Sequence, residues 1–146
     1  MIRKLFLSLI ALVIAAFAAE AQTPQKGLKA GYVATVSSGE VAPEQMDNFK
    51  QLAKKLAAAV AEEPGTLVYE FSVQPDGKTV DLLEIYQSSE AFVAHVKHMR
   101  DVFGQQAGQV RKPGNITVFG SSNAEMKEII ARRNPVYETY IDGFYR

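Results

Sequence analysis

Residues 64–103, PGTLVYEFSVQPDGKTVDLLEIYQSSEAFVAHVKHMRDVF, write a hairpin and the helix that follows it in one passage. Leu67, Tyr69, Phe71 and Val73 alternate with Val68, Glu70 and Ser72, the period of two of a strand with unlike faces. Pro75, Asp76 and Gly77 turn the chain, since proline presets φ and glycine takes left-handed backbone without strain. Val80, Leu82, Glu84 and Tyr86 then alternate with Asp81, Leu83, Ile85 and Gln87. The second strand therefore aims a carboxylate and a phenol into the same space. Ser88 or Ser89 caps a helix with Glu90 in its first turn, and Phe92, Val96, Met99 and Phe103 form its expected core stripe.

Upstream, Ala30 to Ser37 is β-rich through Tyr32, Val33, Thr35 and Val36, and Ser38-Gly39 ends it. Pro43 opens a helix expected to run to about Glu62, with Met46, Phe49, Leu52, Ala53, Leu56 and Val60 on one face and Lys50, Lys54 and Lys55 elsewhere. Pro64-Gly65 stops it. Downstream, Gly104 and Gly108 weaken the far end of the second helix, and Lys112-Pro113-Gly114-Asn115 breaks the chain before Ile116, Val118 and Phe119 form a fourth strand. Strand, helix, strand, strand, helix, strand is an α+β order. It predicts a ferredoxin-like antiparallel sheet with both helices on one face. The other face stays uncovered and must be lined by Tyr69, Phe71, Leu82 and Tyr86 or by their alternating neighbours. Such an apolar patch predicts a homodimer with face-to-face sheets. Residues 122–146 add a helix over 124–133, ended by Asn134-Pro135, and a tail rich in Tyr137, Tyr140, Phe144 and Tyr145. Burying those rings offsets the cost of ordering the tail, so it is expected to dock in cis or on the partner.

The first 21 of the 146 residues read differently. Arg3 and Lys4 precede the apolar run Leu5–Ala19, and Ala19-Glu20-Ala21 offers small residues for cleavage, the pattern of a secretory signal peptide. A spanning anchor needs about 20 apolar residues, so export to the periplasm or beyond, without stable membrane insertion after processing, is the expectation. Residues 22–29 read as a flexible leader. The chain carries 16 basic and 16 acidic side chains, and without Arg3, Lys4 and Glu20 its formal charge is −1. That balance does not attract nucleic acid. With no cysteine, disulfides, thiolate metal sites and a cysteine nucleophile are excluded. Phosphate-binding glycine loops, nucleophile elbows and zincin helices are absent too.

The order of elements and the passage EIYQSSEAFVAH, Glu84–His95, resemble the antibiotic biosynthesis monooxygenase family, which includes quinol monooxygenase-like proteins. The likeness covers residues 30–121. It implies a dimeric α/β barrel with a pocket between sheet and helices. It also implies oxidation of a small aromatic or quinol substrate by dioxygen with no cofactor; no metal is expected, because His95 and His98, at i and i+3, have no third ligand nearby in the sequence. The haem-degrading branch places a tryptophan at the position of Tyr86 and an iron-ligating histidine near the end of the second helix. Here there is no tryptophan and no histidine after His98, so both functional positions speak against haem degradation. Many quinol monooxygenase-like members carry a second histidine in a Ser-Pro-His-Phe run, where this chain reads HMRDVF from His98 to Phe103. The second histidine is displaced, or Arg100 replaces it.

His95, Glu84 and Tyr86 are the candidate catalytic residues. His95 lies about 60° from Phe92 around the helix and His98 about 120° away, toward solvent. A neutral His95 can take a phenolic proton, or it can be a boundary histidine bonded to a carbonyl or carboxylate. Glu84 can orient His95 or a substrate hydroxyl, or sit in a structural ion pair. Tyr69, Phe71, Phe92 and Met99 are the expected substrate-binding residues, set against ordinary packing roles. A non-catalytic dimer that binds a small ligand in the same cavity is the alternative to the enzyme, and a purely structural interaction module is a third reading.

Overall fold

The structure, a computed structural model, describes residues 25–145. The expected signal peptide and the first residues of the leader lie outside the described residues. In chain order the elements are β1 (Gln25–Lys26), β2 (Val33–Glu40), α1 (Met46–Val60), β3 (Thr66–Val73), β4 (Thr79–Tyr86), α2 (Ser89–Phe103), α3 (Gln106–Val110), β5 (Lys112–Gly120), α4 (Ala124–Ile130), β6 (Val136–Tyr137) and β7 (Phe144–Tyr145). The main sheet runs β3-β4-β2-β5-β6. Its first four strands are antiparallel neighbours in ferredoxin-like order, and β6 adds in parallel to β5.

The β3–β4 hairpin closes where the turn residues sit. Asp76 accepts the backbone N–H groups of Lys78 and Thr79 at 3.0 and 2.8 Å, and Gly77 takes φ +72°. Ser88 caps α2 by accepting the Ala91 N–H. Pro43–Gln45 is a 3-10 turn that leads into α1. Met46, Phe49, Leu56 and Val60 are the buried residues of α1, as its stripe required.

Three expectations change. On α2 the buried residues are Ser89, Phe92, Val93 and His95, whereas Val96, Met99 and Phe103 are only partly covered. Both α4 and the sheet pack on α2, which rotates its buried stripe toward Val93 and His95. The segment at 112–115 does not break the chain; it is the start of β5, with Pro113 opposite Gly39 beside a bulge at Ser37/Gly39. An edge position and a bulge are where a sheet tolerates a residue without an N–H. Of the leader, Gln25–Lys26 is paired, forming a two-stranded ribbon with Phe144–Tyr145.

Two apolar clusters flank the middle of the inner sheet face. One joins Val33, Tyr86, Ile116 and Val118 of the sheet to Phe92 and Val93 of α2 and Met126 and Ile130 of α4. The other joins Val41, Met46, Phe49 and Val80, and Phe71 meets Phe49 edge-on at 5.4 Å between centroids. Between them along the β2–β4 ladder sit Thr35 opposite Glu84 and Ser37 opposite Leu82. The core therefore has a polar middle. The outer face carries the alternating neighbours, with Val36, Leu83 and Phe119 each more than one-third exposed.

Candidate active site

Register alone aligns three polar side chains across the inner face. Tyr69 on β3 pairs with Glu84 on β4, which pairs with Thr35 on β2. Glu84 is buried, and a buried carboxylate is costly unless its lone pairs are used. Thr35 Oγ1 donates to Glu84 Oε2 at 2.7 Å and Tyr86 OH donates to Oε1 at 2.7 Å. Each carboxylate oxygen thus holds a hydroxyl donor.

α2 crosses above this row and lowers His95 onto it. The imidazole is buried and lies between two phenol rings, 5.5 Å from Tyr69 and 5.4 Å from Tyr86 between centroids. Its Nε2 is 3.6 Å from Glu84 Oε1, and its Nδ1 is 2.9 Å from Glu63 Oε2. Burial, and then the neighbouring Glu84 carboxylate, push both phenols far above their ordinary value. Tyr69 and Tyr86 therefore stay neutral, and Tyr86 stays a donor.

The catalytic candidates read from the sequence, Glu84, Tyr86 and His95, come together. The expected substrate-binding residues divide. Tyr69 and Phe71 are half-buried on β3, the edge strand, and meet edge-on at 5.2 Å. Phe92 is buried in the apolar cluster and edge-on to Tyr86, so it supports the site from behind. Met99 is partly buried one turn beyond His95. His98, expected toward solvent, is half-exposed, yet its Nδ1 lies 2.6 Å from Glu63 Oε1. Arg100 is exposed.

Three contributors had no local signal. Glu63 follows α1 and belongs to no periodic pattern. Thr35 read only as a β-former. Arg111 lies beyond the expected helix end and spans the ladder, donating to the carbonyls of Ser37 at 2.7 Å and Val80 at 3.1 Å. Among the described residues no group of three or more His, Cys, Asp or Glu side chains is arranged to hold a metal ion. Nor is any described helix long and apolar enough to cross a membrane.

A hollow lies on the opposite side of the sheet. This cavity of about 850 Å³ is bounded by Val68, Ile85 and Phe119 of the outer face and by the tail at Tyr140 and Ile141. Among its described lining residues there is no histidine, and Glu138 is the only carboxylate. The side chains able to take or give a proton near neutral pH, His95 and His98, therefore lie on the inner side of the sheet and not in this hollow.

Residues 33–106 match the antibiotic biosynthesis monooxygenase family. No curated protein matches the chain significantly. Among solved structures, MupZ from Pseudomonas fluorescens is similar with a TM-score of 0.70 at 18% identity, over 79% of this chain and 94% of that one. A conserved protein from Methanosarcina mazei has a TM-score of 0.55 at 18% identity, over 62% and 93% of the two chains. Both bear on the fold alone. A Caulobacter crescentus structure carrying the same family name is 27% identical over 61% of this chain and 86% of that one, with a TM-score of 0.52.

Proposed function

Because this chain belongs to the antibiotic biosynthesis monooxygenase family, we propose that it oxidises a small aromatic or quinol substrate with dioxygen at the Glu84, Tyr86 and His95 cluster. The observation that carries the reading is a buried histidine whose Nε2 faces the sheet interior between two neutral phenols. His95 takes the phenolic proton and leaves an electron-rich phenolate, a step worth about 10²–10⁴ in rate when the base is well placed. One oxygen atom ends as a quinone carbonyl and the other leaves as water. The ring loses two hydrogens and supplies all four electrons, so this stoichiometry balances without an outside reductant. Tyr69 and Phe71, half-buried at the sheet edge, offer an aromatic wall on the approach.

Oxygen uptake with a panel of quinols and dihydroxyaromatics tests this directly. The expected result is uptake above autoxidation that falls about 10²–10⁴-fold in His95→Ala. No uptake across the panel by the unaltered protein would move the assignment to a non-catalytic protein that binds a small ligand.

The same reading includes an exported homodimer. Support for the dimer is the outer face, where Val36, Leu83 and Phe119 stand exposed beside a tail whose Ile141 is 93% exposed. Each Å² of such surface removed from water returns about 25 cal/mol. Equilibrium sedimentation showing only monomer at micromolar concentration would exclude it. Support for export is the basic and apolar pattern of residues 1–21, and N-terminal sequencing of the protein from the periplasm or medium tests it.

A further inference from the structure

Glu63 is the best-connected side chain near the candidate base, and neither the resemblance nor the family match assigns it a role. It lies in the short connection between α1 and β3, and three side chains converge on its carboxylate. Oε2 meets His95 Nδ1 at 2.9 Å and accepts from Thr66 Oγ1 at 2.6 Å, while Oε1 meets His98 Nδ1 at 2.6 Å. Burial alone would raise this carboxyl, but the hydrogen bonds from His98, Thr66 and His95 outweigh it and hold Glu63 below its ordinary value.

An ionised carboxylate only accepts hydrogen bonds, and a neutral imidazole carries a single N–H. With Nδ1 committed to Glu63, that proton sits on Nδ1 and Nε2 keeps its lone pair. Glu84 does not compete for it. Its oxygens are already served by Thr35 and Tyr86, and the 3.6 Å from Nε2 to Oε1 exceeds hydrogen-bond length. The other titratable groups around the ring are Tyr69 on β3, Tyr86 on β4 and His98 on α2 itself. We propose that Glu63 is a positioning residue that locks His95 in the Nδ1–H tautomer, so that Nε2 faces inward as the base, with His98 and Thr66 fixing Glu63 in turn. This inference rests on His95 being the base of the proposed oxidation.

The test needs no substrate. Imidazole ¹⁵N NMR of the full chain at about pH 8.5, above the ordinary imidazole range, reads the tautomer of His95. The expected spectrum has Nδ1 protonated over Nε2 by about tenfold or more, the worth of one hydrogen bond to a charged group. In Glu63→Gln a single carbonyl cannot serve both histidines, so one ring reverses its tautomer. Glu63→Ala abolishes the preference and Glu63→Asp restores part of it. Glu63→Gln keeps the size of the side chain and carries the test if Glu63→Ala does not fold. An Nε2–H ring in the unaltered protein, or a preference that survives Glu63→Ala, would overturn the proposal.

Turnover separates this inference from the reading beneath it. Where uptake is measured, Glu63→Gln lowers kcat about 10- to 100-fold with little change in KM. The expected tautomer without any uptake sinks the oxidation and leaves the positioning intact. Uptake with kcat untouched and neither the His95 nor the His98 tautomer reversed in Glu63→Gln sinks the positioning and leaves the oxidation.

Discussion

The two faces of the β-sheet are built from alternate residues of the same strands, yet they follow opposite rules. The inner face buries polar groups: Thr35, Ser37, Glu84 and Tyr86 point inward beneath His95. The outer face exposes apolar ones: Val36, Leu83 and Phe119. The inner face is otherwise an ordinary apolar core, and the buried polar row between its two clusters and the exposed apolar group outside are the departures from it. Burying a carboxylate adds little stability, and an apolar face left in water forgoes some. Each inversion is understandable if the inner face is kept for chemistry and the outer face for a second copy of the chain.

The largest expected effect comes from making the inner face obey the ordinary rule. In the triple variant Thr35→Val, Glu84→Leu, Tyr86→Phe, oxygen uptake should fall to background, a loss of at least ~10²-fold. Its melting temperature should equal or exceed that of the parent, because replacing a whole buried polar set with apolar groups of similar volume is neutral or stabilising by about 1–4 kcal/mol. Calorimetry showing severe destabilisation would mean that the inner face is a structural device.

On the outer face, Leu83→Lys should raise the dissociation constant of the proposed dimer by roughly 30- to 1,000-fold, about 2–4 kcal/mol. The near-ultraviolet spectrum of the inner tyrosines should not change. Sedimentation that leaves the association constant untouched would remove the reason for the exposed face.

A smaller effect is expected where the backbone closes the outer hollow. Gly120 has φ +86°, and a Cβ there would run into the Tyr32 carbonyl oxygen. Gly120→Ala should destabilise the fold by about 1–3 kcal/mol, read from urea unfolding.

The smallest effect is a pH slope. Glu63 is held below its ordinary value of 4.5, so its ionised form contributes stability above that pH. The contribution disappears as pH falls through the depressed folded value. Melting temperatures of the parent and of Glu63→Gln should therefore converge on acidification below about pH 4.5, and a gap that stays constant would contradict the hydrogen-bonded carboxylate.

Much of this arrangement was legible along the chain. The alternation at 80–86 put Glu84 and Tyr86 on one face before any pairing was known, and Ser88, one of the two expected caps, closes the start of α2 through its own side chain. The α2 stripe misled because spacing from Phe92 cannot report that α4 also packs on that helix. At β5, Pro113 argued for a loop, and only the bulge opposite Ser37/Gly39 explains its place in a strand. Glu63 was invisible because its partners His95 and His98 lie 32 and 35 residues away.

By itself the sequence determined the order of the elements, the hairpin, the cap of α2 and the alternation that sends Glu84 and Tyr86 to one side. These depend on turn chemistry and on periods of two and 3.6, which act between near neighbours. Only the tertiary structure decided that this side is the inner one, that Thr35 stands opposite Glu84, that Gln25–Lys26 pairs with the tail, and that Glu63 reaches His95. Those outcomes depend on strand register and on how helices seat on the sheet. Register and seating are settled by which long-range contacts bury the most apolar surface while leaving no buried polar group without a partner.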